Sequence, residues 1–186
     1  LRAAHALEPA LLEHSQQLGL QLQRQFADLV EENRRTAGHL EAARLAPSGK
    51  NGQPWTFIVV KDEETRKKLV PACKNQAFIA EAPIVIVACG HEERAYKKMG
   101  GYWNSTPVDI GIALEHLMLA AAAEGLGTCW IGAFIEDRVK EILGIPEEVK
   151  IVALTPVGYP SAEKTHRPRK SLDEIVMHEK WERRDD

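Results

Sequence analysis

Ser48, Asn51 and Gln53 bring a hydroxyl and two carboxamides into one short stretch, Pro47-Ser48-Gly49-Lys50-Asn51-Gly52-Gln53-Pro54-Trp55. Its paired prolines and glycines exclude both helix and strand, so the segment is a loop with a specified path rather than a spacer. Such a loop can read a planar polar ligand, with Gly49 and Gly52 letting the backbone come close to what the polar groups contact. The same groups also suit a plain turn, in which Ser48 and Asn51 satisfy only nearby backbone atoms. Little else in the chain competes for the chemistry. There is no Ser-His-Asp order, no paired-carboxylate spacing and no Walker loop, and Gly125, Gly127 and Gly132 have the wrong spacing for a dinucleotide fingerprint. The seven histidines form no HExxH or other paired-ligand pattern. Cys73, Cys89 and Cys129 stand too far apart for a CxxC motif and read as reduced core residues. A chain without nucleophile or metal ligands points to chemistry carried by a cofactor.

The elements that must position this loop follow from periodicity. Residues 9–33 carry Leu11, Leu18, Leu22, Phe26 and Leu29 at helical intervals, which predicts an amphipathic helix. Leu40–Ala46 reads as a short helix stopped by Pro47, and the run from Trp55 to Lys61 as a strand. Asp62 is placed as the N-cap of a helix running towards Cys73. Pro83–Cys89 is apolar throughout, hence a strand buried on both faces. Thr106 as N-cap and Pro107 at the first helical position open a helix whose Ile110, Ala113, Leu114, Leu117, Met118 and Ala121 place it in the core or a subunit interface, and Gly125 ends it. A strand over Thr128–Ile131, a helix over Asp137–Leu143 closed by Gly144 and Pro146, and a strand over Lys150–Val157 complete the pattern.

At 186 residues, 44% hydrophobic and 27% charged, the chain fits one domain spanning 1–186, and nothing divides it. A net charge of −3 gives no footprint for nucleic acid, although a local basic cluster can still bind phosphate. The apolar stretch Ile110–Ala123, interrupted by Glu115 and His116, is read as too short for a bilayer, so no membrane association is expected and a cytoplasmic protein is.

The wording Glu41-Ala42-Ala43-Arg44-Leu45-Ala46-Pro47-Ser48-Gly49-Lys50-Asn51-Gly52-Gln53-Pro54-Trp55-Thr56-Phe57 strongly resembles the nitroreductase family of FMN-dependent oxidoreductases. The resemblance continues through Ala82-Pro83-Ile84-Val85-Ile86-Val87, Gly125-Leu126-Gly127-Thr128-Cys129-Trp130-Ile131-Gly132-Ala133-Phe134, Val157-Gly158-Tyr159-Pro160 and Arg169-Lys170-Ser171-Leu172-Asp173-Glu174-Ile175-Val176. It covers residues 40–176 in family order, whereas 1–39 is atypical. Several ordered motifs together are far more specific than any one of them.

The resemblance implies an α+β nitroreductase-like fold, a central, mainly antiparallel sheet flanked by helices, with FMN bound at a homodimer interface. It implies that Pro47, Ser48 and Asn51 line the isoalloxazine and ribityl region and that Asn75 lies near the pyrimidine end, unless Asn75 is only a polar turn residue. Ile131, Gly132 and Ala133 match the segment whose backbone amides face the flavin N5 and O4 edge. Arg167 and Arg169 match a late basic pair for the phosphate, suited to bidentate contacts. The only counterpart of the family's N-terminal phosphate-gripping arginines is Arg34-Arg35-Thr36; these arginines either do that job from a shortened connection or are solvated charges beside a break at Gly38. The implied activity is hydride transfer from NAD(P)H to FMN and then to a small nitroaromatic or quinone-type acceptor, in turn at one site. Two alternatives remain: the same fold with another reaction (dehalogenation, azoline oxidation, flavin destruction), for which no lid segment is evident between Gly90 and Pro107, or a flavin-binding dimer without turnover.

Overall fold

Strand β2 (Ile84–Gly90) is buried along its whole length, and the rest of the fold follows from covering it. The computed structural model describes residues 35–161 and 168–181; the expected helix over residues 9–33, Arg34 and Arg167 lie outside them. β2 pairs antiparallel with β1 (Trp55–Val60) on one side and with β4 (Lys150–Gly158) on the other. The short β3 (Gly127–Thr128) completes a four-stranded antiparallel sheet of order β1-β2-β4-β3.

Both faces of β2 are apolar, so both need helices. Ile84, Ile86 and Ala88, with Ala153 and Val157 of β4, pack against helix α4 (Thr106–Ala123) and against Ala43 and Ala46, within and just beyond helix α1 (residues 35–44). Val85, Val87 and Cys89, with Ile151 and Leu154, pack on the other side against α2 (Glu63–Ala72), α3 (Phe78–Glu81) and α5 (Glu136–Leu143). The result is the expected α+β arrangement, three layers with the sheet in the middle. A last single-turn helix, α6 (Leu172–Ile175), carries a capping box between Ser171 and Glu174.

Several boundaries differ from the sequence reading, each for a local reason. α1 already runs through residue 35 and passes through Gly38, so Arg35 and Thr36 are helical rather than beside a break. It stops at residue 44, since the residue before Pro47 avoids the helical region. α4 begins one residue earlier than expected, with Ser105 as its N-cap, because the Asn104 carboxamide oxygen accepts from both the Thr106 N–H (2.9 Å) and its hydroxyl (2.6 Å). The resulting 18-residue helix reaches the length and apolar composition of a membrane span, contrary to the reading of a stretch too short for one. Its Ile110, Ala113, Leu114, Leu117 and Ala121 are fully buried against the sheet, which accounts for that composition. Asp62 caps α2 as expected, accepting from Thr65 N–H at 2.7 Å, and Gly144 ends α5 in the left-handed conformation.

The expected strand over Thr128–Ile131 is interrupted, and the interruption shapes the site described next. Gly127 pairs with Gly158, Thr128 with Val157 and Ile131 with Leu154, so the register sets Cys129 opposite Pro156. Ile131 and Leu154 exchange both backbone hydrogen bonds, at 2.9 and 3.1 Å. Two residues earlier the same kind of pair would need the N–H that Pro156 lacks. Cys129 N–H goes instead to the Thr155 hydroxyl at 3.3 Å, and the chain leaves the sheet edge.

Candidate functional site

The Pro47–Trp55 loop owes its shape to positive backbone angles at its side-chain-bearing residues rather than at its glycines. Lys50, Asn51 and Gln53 sit at φ of 53°, 56° and 45°, and Gly49–Asn51 form a 3-10 turn closed by Asn51 N–H to Ser48 O (2.9 Å). The glycines serve close approach, but to the protein itself. A Cβ on Gly49 would lie 2.8 Å from Tyr96 Cβ, and one on Gly52 would lie 2.4 Å from Arg94 O. Ser48 Oγ accepts from Gln53 N–H at 2.9 Å, and Asn51 Oδ1 accepts from Gln53 Nε2 at 3.2 Å. The turn reading thus accounts for one acceptor on each residue, while the exposed Asn51 amide N–H groups have no partner among the described residues.

One buried carboxylate anchors the loop. Asp109, on the first turn of α4, accepts from Gly49 N–H at 2.9 Å and from the Ser105 hydroxyl at 2.7 Å. Ser105 Oγ in turn accepts from Tyr96 N–H at 3.0 Å, so the loop, the connection 91–105 and the start of α4 share one polar node. His91 N–H donates to Pro54 O at 2.8 Å and fixes the far end. Sequence reading passed over Asp109, whose signal was a lone acid at the head of an apolar helix.

A second group forms across the end of α2. Lys74 and Asn75 turn the chain at φ of 56° and 60°, and Asn75 is exposed. Gln76 Nε2 donates to Cys73 O (2.8 Å) and to Ala133 O (3.2 Å), tying this turn to the Ile131–Ala133 segment. Gln76 was not singled out in the sequence, although it does the joining. Ile131 is buried and bridged to Leu154, whereas Gly132 and Ala133 are exposed and their N–H groups have no partner among the described residues. Trp130 lies over Gly111 of α4, with Gly132 beside its indole nitrogen. Asn75, Gly132 and Ala133 are therefore brought together, while Pro47, Ser48 and Asn51 stand at the head of α4.

Of the four arginines singled out, Arg35 and Arg169 can be located. The Arg35 guanidinium donates to the Tyr159 hydroxyl, joining α1 to the end of β4. Arg169 is exposed on the segment leading to α6 and makes a long contact (3.4 Å) to Pro168 O. Burial pushes the Cys73 and Cys89 thiols up to about 11, Glu136 adding to the effect at Cys89, whereas Cys129, also read as a core residue, is exposed two residues before Ile131, because the chain leaves the sheet edge there.

Apart from the exposed Cys129 thiol, what the arrangement offers a ligand is a set of hydrogen-bond donors, its carboxylate Asp109 being buried and already engaged. Two adjacent, exposed N–H groups on a loop fixed at both sides, with a carboxamide next to them, fit the polar edge of a planar heterocycle such as a flavin.

The profile of the Nitroreductase family matches residues 37–78 and 72–159. An inferred NADH dehydrogenase/NAD(P)H nitroreductase of Archaeoglobus fulgidus is 39% identical over 67% of this chain and 72% of its own length. The NADH dehydrogenase of Thermus thermophilus is 34% identical over 74% of this chain and 82% of its own. More distant relatives differ in activity: an FMN reductase [NAD(P)H] of Bacillus subtilis (29% identical; 79% of this chain, 65% of its own) and an iodotyrosine deiodinase of Thermotoga neapolitana (24%; 72% and 80%). Among solved structures, a nitroreductase family protein of Clostridium difficile superposes with a TM-score of 0.72 at 29% identity, over 80% of this chain and 87% of that one. With the sheet order, the ordered motifs and these matches in agreement, the chain belongs to the nitroreductase family.

Proposed function

We propose that the chain is an FMN-dependent oxidoreductase that takes electrons from NADH or NADPH and passes them to a small acceptor of nitroaromatic or quinone type, as a cytoplasmic homodimer. The observation that carries this reading is the pair of exposed, unpartnered N–H groups of Gly132 and Ala133, held beside Asn75 by Gln76. These donors would face the flavin N5 and O4 edge, Asn75 the pyrimidine end, Pro47, Ser48 and Asn51 the ring and ribityl region, and Arg35 and Arg169, with Arg34 and Arg167, the phosphate. When bound, FMN supplies the hydride acceptor and donor for both half-reactions. The chain's part is to orient donor and acceptor in turn over one open face. The names of the Archaeoglobus, Thermus and Bacillus relatives support the activity, the nicotinamide donor and the cofactor.

A second copy is supported by the outward side of α4, where Leu119 is 60% exposed and Ala122 is exposed as well. The two donor groups also hang on different anchors, so a partner could complete each site. A second reaction, reductive dehalogenation, is favoured by the folded connection 91–105: it contains a Met99–Trp103 bridge, although the sequence shows no lid there.

The test is anaerobic mixing of the FMN-loaded protein with NADH and, separately, NADPH. The visible flavin band is expected to bleach, and a nitroaromatic or quinone to restore it. Initial-rate plots are expected to be parallel, since the substrates share one face. A protein that takes up no FMN refutes the proposal, and one that holds FMN unreduced is a flavin binder without turnover. Turnover of iodotyrosine in place of quinones would move the assignment to the second reaction.

A further inference from the structure

A cavity of about 440 Å³ opens beside the Pro47–Trp55 loop, lined by Gly49, Lys50, Arg94, Ala95, Tyr96, Lys97 and Lys98. Four of its seven lining residues are cationic and none is acidic, in a chain whose net charge is −3. We infer that this cavity is a phosphate-binding subsite for the pyridine-nucleotide donor; the inference rests on the oxidoreductase reading above.

The charge is concentrated and largely uncommitted. Glu93 lies 3.5 Å from Arg94 Nε, and Lys50 Nζ sits 4.9 Å from the centre of the Tyr96 ring. Lys97 and Lys98 are exposed and have no ion pair among the described residues. Asp109, behind the floor, is already engaged by Gly49 N–H and the Ser105 hydroxyl. Holding four like charges around one hollow raises the free energy of the empty site, and a dianion relieves it.

The walls are built rather than incidental. Ala95 is buried at the floor. Tyr96 is fixed from both sides of its peptide by Ser105, which accepts from Tyr96 N–H at 3.0 Å and donates its own N–H to Tyr96 O at 2.8 Å. Gly52 packs against Arg94 O so closely that no side chain would fit. The charged side chains therefore project from a backbone that the buried Asp109 node holds in place.

The hairpin immediately after Lys98 favours a nucleotide over a simple anion. It turns through Gly100 and Gly101 at positive φ and carries Tyr102 and Trp103 stacked at 5.9 Å with ring planes 6° apart. Tyr102 is 80% exposed, so an outer aromatic face is open to a planar base. Phosphate charge next to a base is the chemistry of the adenosine half of NADH and NADPH. It can be the pyrophosphate shared by both or the 2′-phosphate of NADPH.

The test compares binding of 2′,5′-ADP and of ADP, by calorimetry, to the FMN-loaded wild type and to the Lys97→Gln/Lys98→Gln variant. Both probes lack nicotinamide, so the readout is independent of turnover. The variant is expected to keep its FMN and to bind 2′,5′-ADP at least about tenfold more weakly, as loss of charge-assisted contacts in a partly exposed site implies. A loss confined to 2′,5′-ADP supports the 2′-phosphate and predicts a matching fall in kcat/KM for NADPH alone; an equal loss for ADP supports the pyrophosphate. Lys97→Arg/Lys98→Arg is expected to restore binding. Equal binding to wild type and the Gln variant, or no binding to FMN-loaded wild type, overturns the inference. Failure of the oxidoreductase reading shows separately, as a protein without FMN or with FMN that no nicotinamide bleaches.

Discussion

Replacing Asp109 by Ala should both unfold the protein more easily and empty the Pro47–Trp55 loop of its fixed geometry. The carboxylate is 3% exposed and accepts two hydrogen bonds, from Gly49 N–H at 2.9 Å and the Ser105 hydroxyl at 2.7 Å. At about 1.5–3 kcal/mol for each hydrogen bond to a charged group, the loss comes to about 3 kcal/mol or more. That is a large share of a stability of about 5–15 kcal/mol. Asp109→Asn keeps the acceptor for Gly49 but turns an amide N–H towards Ser105, whose hydroxyl already accepts from Tyr96 N–H. The hydroxyl proton then loses its acceptor, and the expected cost is about 1–2 kcal/mol. Urea unfolding followed by fluorescence reads both values from the midpoints at constant slope. FMN titration of the folded variants should show Asp109→Ala weaker than Asp109→Asn, since the loop carrying Ser48 and Asn51 hangs on this node. Equal stabilities for the two variants, or an alanine variant within about 0.5 kcal/mol of wild type, would refute the reasoning.

Gly90→Ala should cost about 1–3 kcal/mol by overpacking, because its Cβ would lie 2.4 Å from Thr106 Cγ2 and 2.7 Å from Ile110 Cδ1; thermal unfolding measures it. Under native alkylation at mildly alkaline pH the exposed Cys129 should be modified well before Cys73 and Cys89, whose thiols are held up to about 11, as peptide mapping would show. Because these two values are raised, their contribution to stability is full below the ordinary thiol value of 9.0 and is lost as pH rises towards about 11. At Asp62 the sign is opposite: the Thr65 hydroxyl and N–H hold its carboxyl below the ordinary 3.8, so the stability gap between wild type and Asp62→Ala should close as acid unfolding is followed below that pH.

Most of the architecture was legible because each element carried its own signal. Pro83–Cys89 read as a strand covered on both faces and α4 as a helix of the core or a subunit interface, while the sheet flanked by helices was what the family resemblance implied. What escaped the sequence depended on pairs far apart in the chain. Pro156 cuts β3 short only because register sets it opposite Cys129, and no local pattern reveals register. The loop glycines were read as room for a ligand, yet the neighbours they admit are Tyr96 and Arg94. Gln76 and Asp109, which join the site's parts, act across 57 and 60 residues. Family wording singled out Ser48, Asn51 and the Ile131–Ala133 segment without indicating what holds them. The cationic cavity was invisible because Lys50 and Lys97-Lys98 meet only after the sheet forms.

The pairing of β2 with β4 also governs how the chain comes to be folded. Residues 84–90 must find residues 150–158, with about 60 residues between them, before either face of the sheet can close. Such a non-local match delays the rewarding contacts until a long loop has been ordered, which slows the search. During synthesis, β2 emerges well before β4 with apolar side chains on both faces and one edge unpaired. That interval exposes Ile84-Val85-Ile86-Val87, a β-prone, uncharged run, to the same run in other nascent chains. Yield in a cell should therefore depend on whatever shields this strand until Lys150–Gly158 arrives, more than on the final stability of the sheet.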